Sequence, residues 1–142
     1  MNQGKFVFSQ LMALTSSTSF STCVSRYNGN YKVKHFTCWK QFLCMAFGQL
    51  THRESLSDTM VALSANADKL YHLGIGEAVS LSTLSKANEN RDWQIFCAFA
   101  KVLIAEAKQL YVDDQGEVEL SNEVFAIDAT VIDMCLSVFR WA

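Results

Sequence analysis

Apolar residues recur at helical spacing over much of the chain. In 5–14, Val7, Leu11 and Leu14 sit three and four apart, with Phe8 and Met12 beside them. A short amphipathic helix is predicted there. The Ser/Thr-rich run "TSSTSFST" (15–22) has poor helix propensity and reads as a loop, with Ser19 or Ser21 able to cap a helix. "YNGN" (27–30) contains Asn-Gly and predicts a turn. "YKVKHF" (31–36) alternates in polarity and fits a short strand or an extended basic arm.

Thr37 suits an N-cap, and the following "CWKQFLCMAFGQL" gathers Trp39, Phe42, Leu43, Ala46, Phe47 and Leu50 on one face. Thr51 and Glu54 have the spacing of a capping box, so a helix carrying Leu56, Met60 and Leu63 inward is expected from there. "SANADKLYHLG" reads as a further helical turn or two ended by Gly74. Ser80 or Ser82 then caps a helix through "TLSKANEN". Helix, turn and short polar helix together suggest a helix-turn-helix that presents Ser82, Thr83, Ser85 and Lys86 to a groove. From Asp92 a long helix places Trp93, Phe96, Ala100, Leu103, Ala107 and Leu110 on one stripe, before the turn cluster at 113–116. Beyond it, "EVEL" and "EVFAIDATVI" predict strands. The expected architecture is mainly α: a helical domain over 1–116, then a short β segment over 117–142.

Composition adds few restrictions. The chain has 142 residues, half of them hydrophobic and none of them proline. That is enough for one domain with its own core. Its five cysteines show no paired spacing, which favours free thiols in a reducing cytoplasm. No apolar run is long enough to span a membrane. "KFVFSQLMAL" lacks a convincing small-residue cleavage site, which argues against a secretory leader.

Charge changes the picture more. Residues 1–53 hold six basic residues and no acid, while 54–142 hold all 14 acids against six bases. Either the two parts complement each other, or the first offers a basic surface to phosphates. Tyr27, Tyr31, Lys32, Lys34 and His35 interleave rings with cations, a pattern suited to phosphate or base contact as well as to a solvated loop. His35, Cys38 and Cys44 lack zinc-site spacing, and Gly74-Ile75-Gly76 lacks the context of a nucleotide loop.

One carboxylate stands out. Asp128 lies inside the apolar run "FAIDATVIDMCL", where a charge is costly without a metal or hydrogen-bond donors. It could cap a strand end or ligate Mg²⁺. Asp133 is five residues on, so on one continuous strand the two would face opposite ways.

Several segments, in order, resemble the start of a bacterial insertion-sequence transposase of the DDE type, within the insertion-sequence-four family. They are "MNQGKFVFSQLM", "YNGNYKVKHFTCWKQFLCMAFGQLTHRESLSD", "KLYHLGI", "STLSKANENRDW", "VLIAEAKQLY" and "FAIDATVIDMCLSVFRWA". The resemblance implies an N-terminal helical domain that binds transposon ends, followed by an RNase H-like core. Asp128 matches the first acid of the catalytic triad and would be a metal ligand by descent. Full-length relatives would cleave and join DNA with Mg²⁺. The second Asp and the Glu of such a triad do not follow here, so the chain is expected to be a truncated form, inactive alone and without bound Mg²⁺. Leu81 and Gln94 stand where the family commonly has basic residues, and Ala129 replaces a hydroxyl residue.

The expected activity is binding of double-stranded DNA in the cytoplasm. The candidate contacts are Lys32, Lys34, Lys40, Arg53, Ser82, Thr83, Lys86 and Arg91. The rival readings are an interaction protein that inhibits intact transposase, through it or through self-association, and a remnant without function.

Overall fold

The computed structural model describes residues 7–110. They form six α-helices: α1 (Val7–Ala13), α2 (Ser17–Arg26), α3 (Cys38–Leu50), α4 (Leu56–Ser64), α5 (Leu81–Asn90) and α6 (Gln94–Leu110), with a 3-10 turn at Ala67–Lys69. The mainly helical expectation holds. Among the described residues there is no strand, and 31–36 is a series of turns and bends. The β segment expected over 117–142, with Asp128 and Asp133, lies outside the described residues. No helix of the described residues is long and apolar enough to cross a membrane.

The core is built around α3. On one side Leu43, Cys44 and Phe47 pack with Met60 and Leu63 of α4, Leu84 of α5, and Leu70, Leu73 and Ile75 of the connector. On the other, Cys38 joins Phe20, Cys23 and Val24 of α2 and Ile95 and Phe99 of α6. Trp39 and Phe42 touch both clusters. Phe20 is the hub of the second one. Its ring lies 5.0 Å from Phe99, 5.2 Å from Trp39 and 5.4 Å from Phe42, centroid to centroid. Each such ring pair adds roughly 0.5–1.5 kcal/mol beyond burial.

Four local expectations are corrected. The Ser/Thr run is helix, not loop. Ser16 caps α2 by accepting from the Ser19 amide at 3.2 Å, and Phe20, Cys23 and Val24 recur on one buried face. Burial of that stripe outweighs the weak propensity of its hydroxyl residues. The cap of α4 is Ser55, accepting from the Asp58 amide at 3.0 Å. Thr51 instead ends α3, its hydroxyl donating to the Phe47 carbonyl at 2.7 Å. Leu50, placed on the inner face of α3 by spacing, is 50% exposed. On α6 the buried residues are Ile95 and Phe99, while Leu110 is 81% exposed and Trp93, just ahead of the helix, 69%.

Candidate nucleic-acid interface

Two elements frame the basic region. The first is the turn segment 27–37. Its backbone closes on itself, with the Tyr31 amide donating to the Asn28 carbonyl at 2.9 Å and the Val33 amide to the Asn30 carbonyl at 3.1 Å. The Asn30 side-chain oxygen accepts from the Cys38 amide at 2.9 Å, tying the segment to the start of α3. Asn28 and Lys32 adopt left-handed backbone, with φ of 51° and 57°. Asn tolerates that conformation; Lys does so at a cost of about 1 kcal/mol or more. Gly29 lets the turn press inward. A Cβ there would collide with Ile95 Cδ1 and lie 2.8 Å from Cys38 Sγ.

The second element is α5. Ser80 caps it, accepting from the Thr83 amide at 3.2 Å. Only Leu84 is buried, at 0% exposure, so the helix rests on one apolar anchor and turns the rest of its surface outward. Ser82, Thr83, Ser85 and Lys86 are all exposed, as a recognition helix would require. The helix-turn-helix expectation is nevertheless loosened. Residues 65–80 separate α4 from α5, including the 3-10 turn, whereas the motif uses a turn of about three or four residues.

An open groove of about 470 Å³ runs between the two elements. Tyr31, Phe36, Thr83, Lys86, Asn90 and Arg91 line it, with Asp92 at one end. The Asp92 carboxylate accepts from the Gln94 amide at 2.8 Å and so serves the start of α6. Lys32 and Lys34 are exposed on the turn side. Lys32 Nζ sits 5.2 Å from the Tyr31 ring centroid. No ion pair among the described residues involves Lys32, Lys34 or Lys86.

The other expected contacts are placed differently. Lys40 lies 2.8 Å from Glu77, and its hydrogen bond and charge hold that carboxyl below the usual carboxylate range. Arg53 lines a separate depression with Met45, Gln49 and Leu56, 4.0 Å from Asp58. Arg91 turns into the protein. Its guanidinium donates to the Thr37 carbonyl at 3.1 Å, to Gln41 Oε1 at 2.7 Å, and to the Phe36 carbonyl. It also stacks on the Phe36 ring, 5.4 Å from the centroid. Gln41 passes the network on, its Nε2 donating to Asn88 Oδ1 at 2.5 Å. Burial pushes the Arg91 pKa down, though an arginine so bonded stays charged. Arg91 thus pins the turn segment and α3 to the end of α5 and sets the width of the groove. Sequence reading missed this role, because the partners lie 50 to 55 positions away and leave no local pattern. Asp128, the expected catalytic and metal residue, lies outside the described residues.

Residues 3–76, just over half of the chain, match the family described as Domain of unknown function (DUF4372). The chain belongs to this family. DUF4372 occurs in transposase-like proteins, which agrees with the coarse form of the sequence resemblance. The DUF4372 match covers the turn segment, α3 and α4, and stops before α5, so it spans one wall of the groove and not the other. No curated protein and no solved structure matches the chain.

Proposed function

We propose that this chain is the DNA-binding part of a transposase-like protein, and that the groove between the 27–37 turn and α5 grips the backbone of duplex DNA. The observation that carries the reading is the placement of Lys32, Lys34 and Lys86. Lys86 lines the groove, Lys32 and Lys34 are exposed on the turn whose Tyr31, Val33 and Phe36 form its other wall, and none of the three has an ion-pair partner among the described residues. Phosphates are the natural complement of such a set. The hydroxyls of Ser82 and Thr83 at the start of α5 are suited to further phosphate contact. Membership of a family found in transposase-like proteins points the same way. The four cysteines among the described residues are free thiols, three of them buried, which suits a reducing cytoplasm.

The test is fluorescence anisotropy with a labelled duplex, titrated between about 50 and 200 mM salt. The expected result is binding that weakens with salt at a log–log slope of roughly 0.9 per phosphate contact. Replacing Lys32, Lys34 and Lys86 with alanine together should lower that slope by about 2–3. Arg53→Ala, outside the groove, should change it little. No affinity at the lowest salt, or an unchanged slope in the triple variant, would remove the proposal.

A further inference from the structure

The groove carries a second feature that backbone contact does not use. Tyr31 is 73% exposed and lines the groove. The segment beneath it is held by the Asn28 and Asn30 carbonyls, the Asn30 side chain and the Gly29 contact with the core. An exposed aromatic on a braced turn loses little entropy on binding a flat partner. Phe36, with the Arg91 guanidinium stacked on it, adds a second flat surface in the same groove. Lys86 in the groove and Lys32 beside the Tyr31 ring supply cations for the adjoining phosphates.

Building on the DNA-binding reading, we infer that the groove takes an unpaired nucleotide at a DNA end, with its base stacked on Tyr31 and its phosphates between Lys32 and Lys86. A base pair inside the duplex could not do this, because both its faces are covered by its neighbours, and the last pair of a blunt end exposes only its outer face. An overhanging or frayed base offers an open face. Stacking is indifferent to base identity, so the site would select for the unpaired end and not for sequence.

The experiment compares a blunt duplex with the same duplex carrying a short single-stranded overhang, in anisotropy competition. The overhang should bind about 5- to 100-fold more tightly, the range expected for stacking one base. Tyr31→Ala should abolish that preference, bringing the two DNAs to equal affinity, whereas Tyr31→Phe should keep it. Because Tyr31 is largely exposed, the alanine variant should fold normally. With 2-aminopurine as the overhanging base, wild type should quench its fluorescence and Tyr31→Ala should not. Equal affinities for the two DNAs, or a preference that survives Tyr31→Ala, would overturn the inference while leaving duplex binding in place. Binding to neither DNA would overturn both.

Discussion

Replacing Arg91 with methionine keeps most of the aliphatic stem and removes the guanidinium. Three acceptors then lose a donor: the Phe36 and Thr37 carbonyls and Gln41 Oε1. The carbonyls are partly buried, and water can replace much of what they lose. Gln41 is only 3% exposed, so its oxygen is left without a partner. An orphaned buried acceptor costs about 1–3 kcal/mol. Loss of the stacking on Phe36 adds roughly 0.5–1 kcal/mol. The expected destabilisation is therefore about 3 kcal/mol, a large share of the 5–15 kcal/mol typical of a domain. Urea denaturation followed by circular dichroism measures it. With a slope of roughly 2 kcal/mol per molar, the midpoint should fall by about 1.5 M. Arg91→Lys should recover only part of the loss, since one ammonium cannot span three acceptors in the geometry of a planar fork. Pairing Arg91→Met with Gln41→Leu should show a coupling of about 1–2 kcal/mol, because the second change removes the orphan created by the first. A loss under about 1 kcal/mol, or full rescue by lysine, would refute the reasoning.

Two other predictions follow from the packing. Gly29→Ala places a methyl against Ile95 and Cys38, both buried in the second core cluster, and should destabilise by about 1–3 kcal/mol in the same urea assay. A neutral outcome would mean that the turn can lift away from α6 without loss. The buried thiol in the second turn of α3 gives a pH dependence: burial, partly offset by Lys40, pushes Cys44 up to about 11 from an ordinary value of 9.0. An unfolded chain releases this proton near pH 9 and the folded one holds it, so base favours unfolding. The stabilisation is complete below pH 9 and fades toward pH 11, by up to about 1.4 kcal/mol per pH unit. Urea midpoints measured across that window should fall more steeply for wild type than for Cys44→Ala, and parallel curves would contradict the assignment.

The sequence pattern made the local features legible where one interaction decided them. Thr37, and either Ser80 or Ser82, are readable as caps because a cap needs only a hydroxyl and an amide three positions on; the bonds formed are those of Thr37 and Ser80, at 3.3 Å and 3.2 Å. Competing signals caused the errors. Thr51 and Ser55 both precede an acid by three positions, and only the fold shows that Thr51 is already spent on α3. On α6, apolar residues occur on several sides, so periodicity established a helix but not its buried face. Docking of α2 decided that, by bringing Phe20 against Phe99. The run 15–22 is helical against its propensity because burial of the Phe20, Cys23 and Val24 stripe along a whole helix outweighs small propensity terms.

The candidate site divides along the same line. The sequence alone determined the inventory: a first part rich in bases and without acids, rings interleaved with cations, and a polar helix after Ser80. Those are properties of composition and short spacing, which the chain carries whatever its fold. Only the tertiary structure decided how each cation is used. Lys40 is paired with Glu77, 37 positions away, and Arg91 with carbonyls more than 50 positions away, while Lys86 lines the groove opposite the turn that carries Lys32. Electrostatic partnership depends on distance in space, and for residues so far apart in the chain that distance is set by how the helices pack around α3.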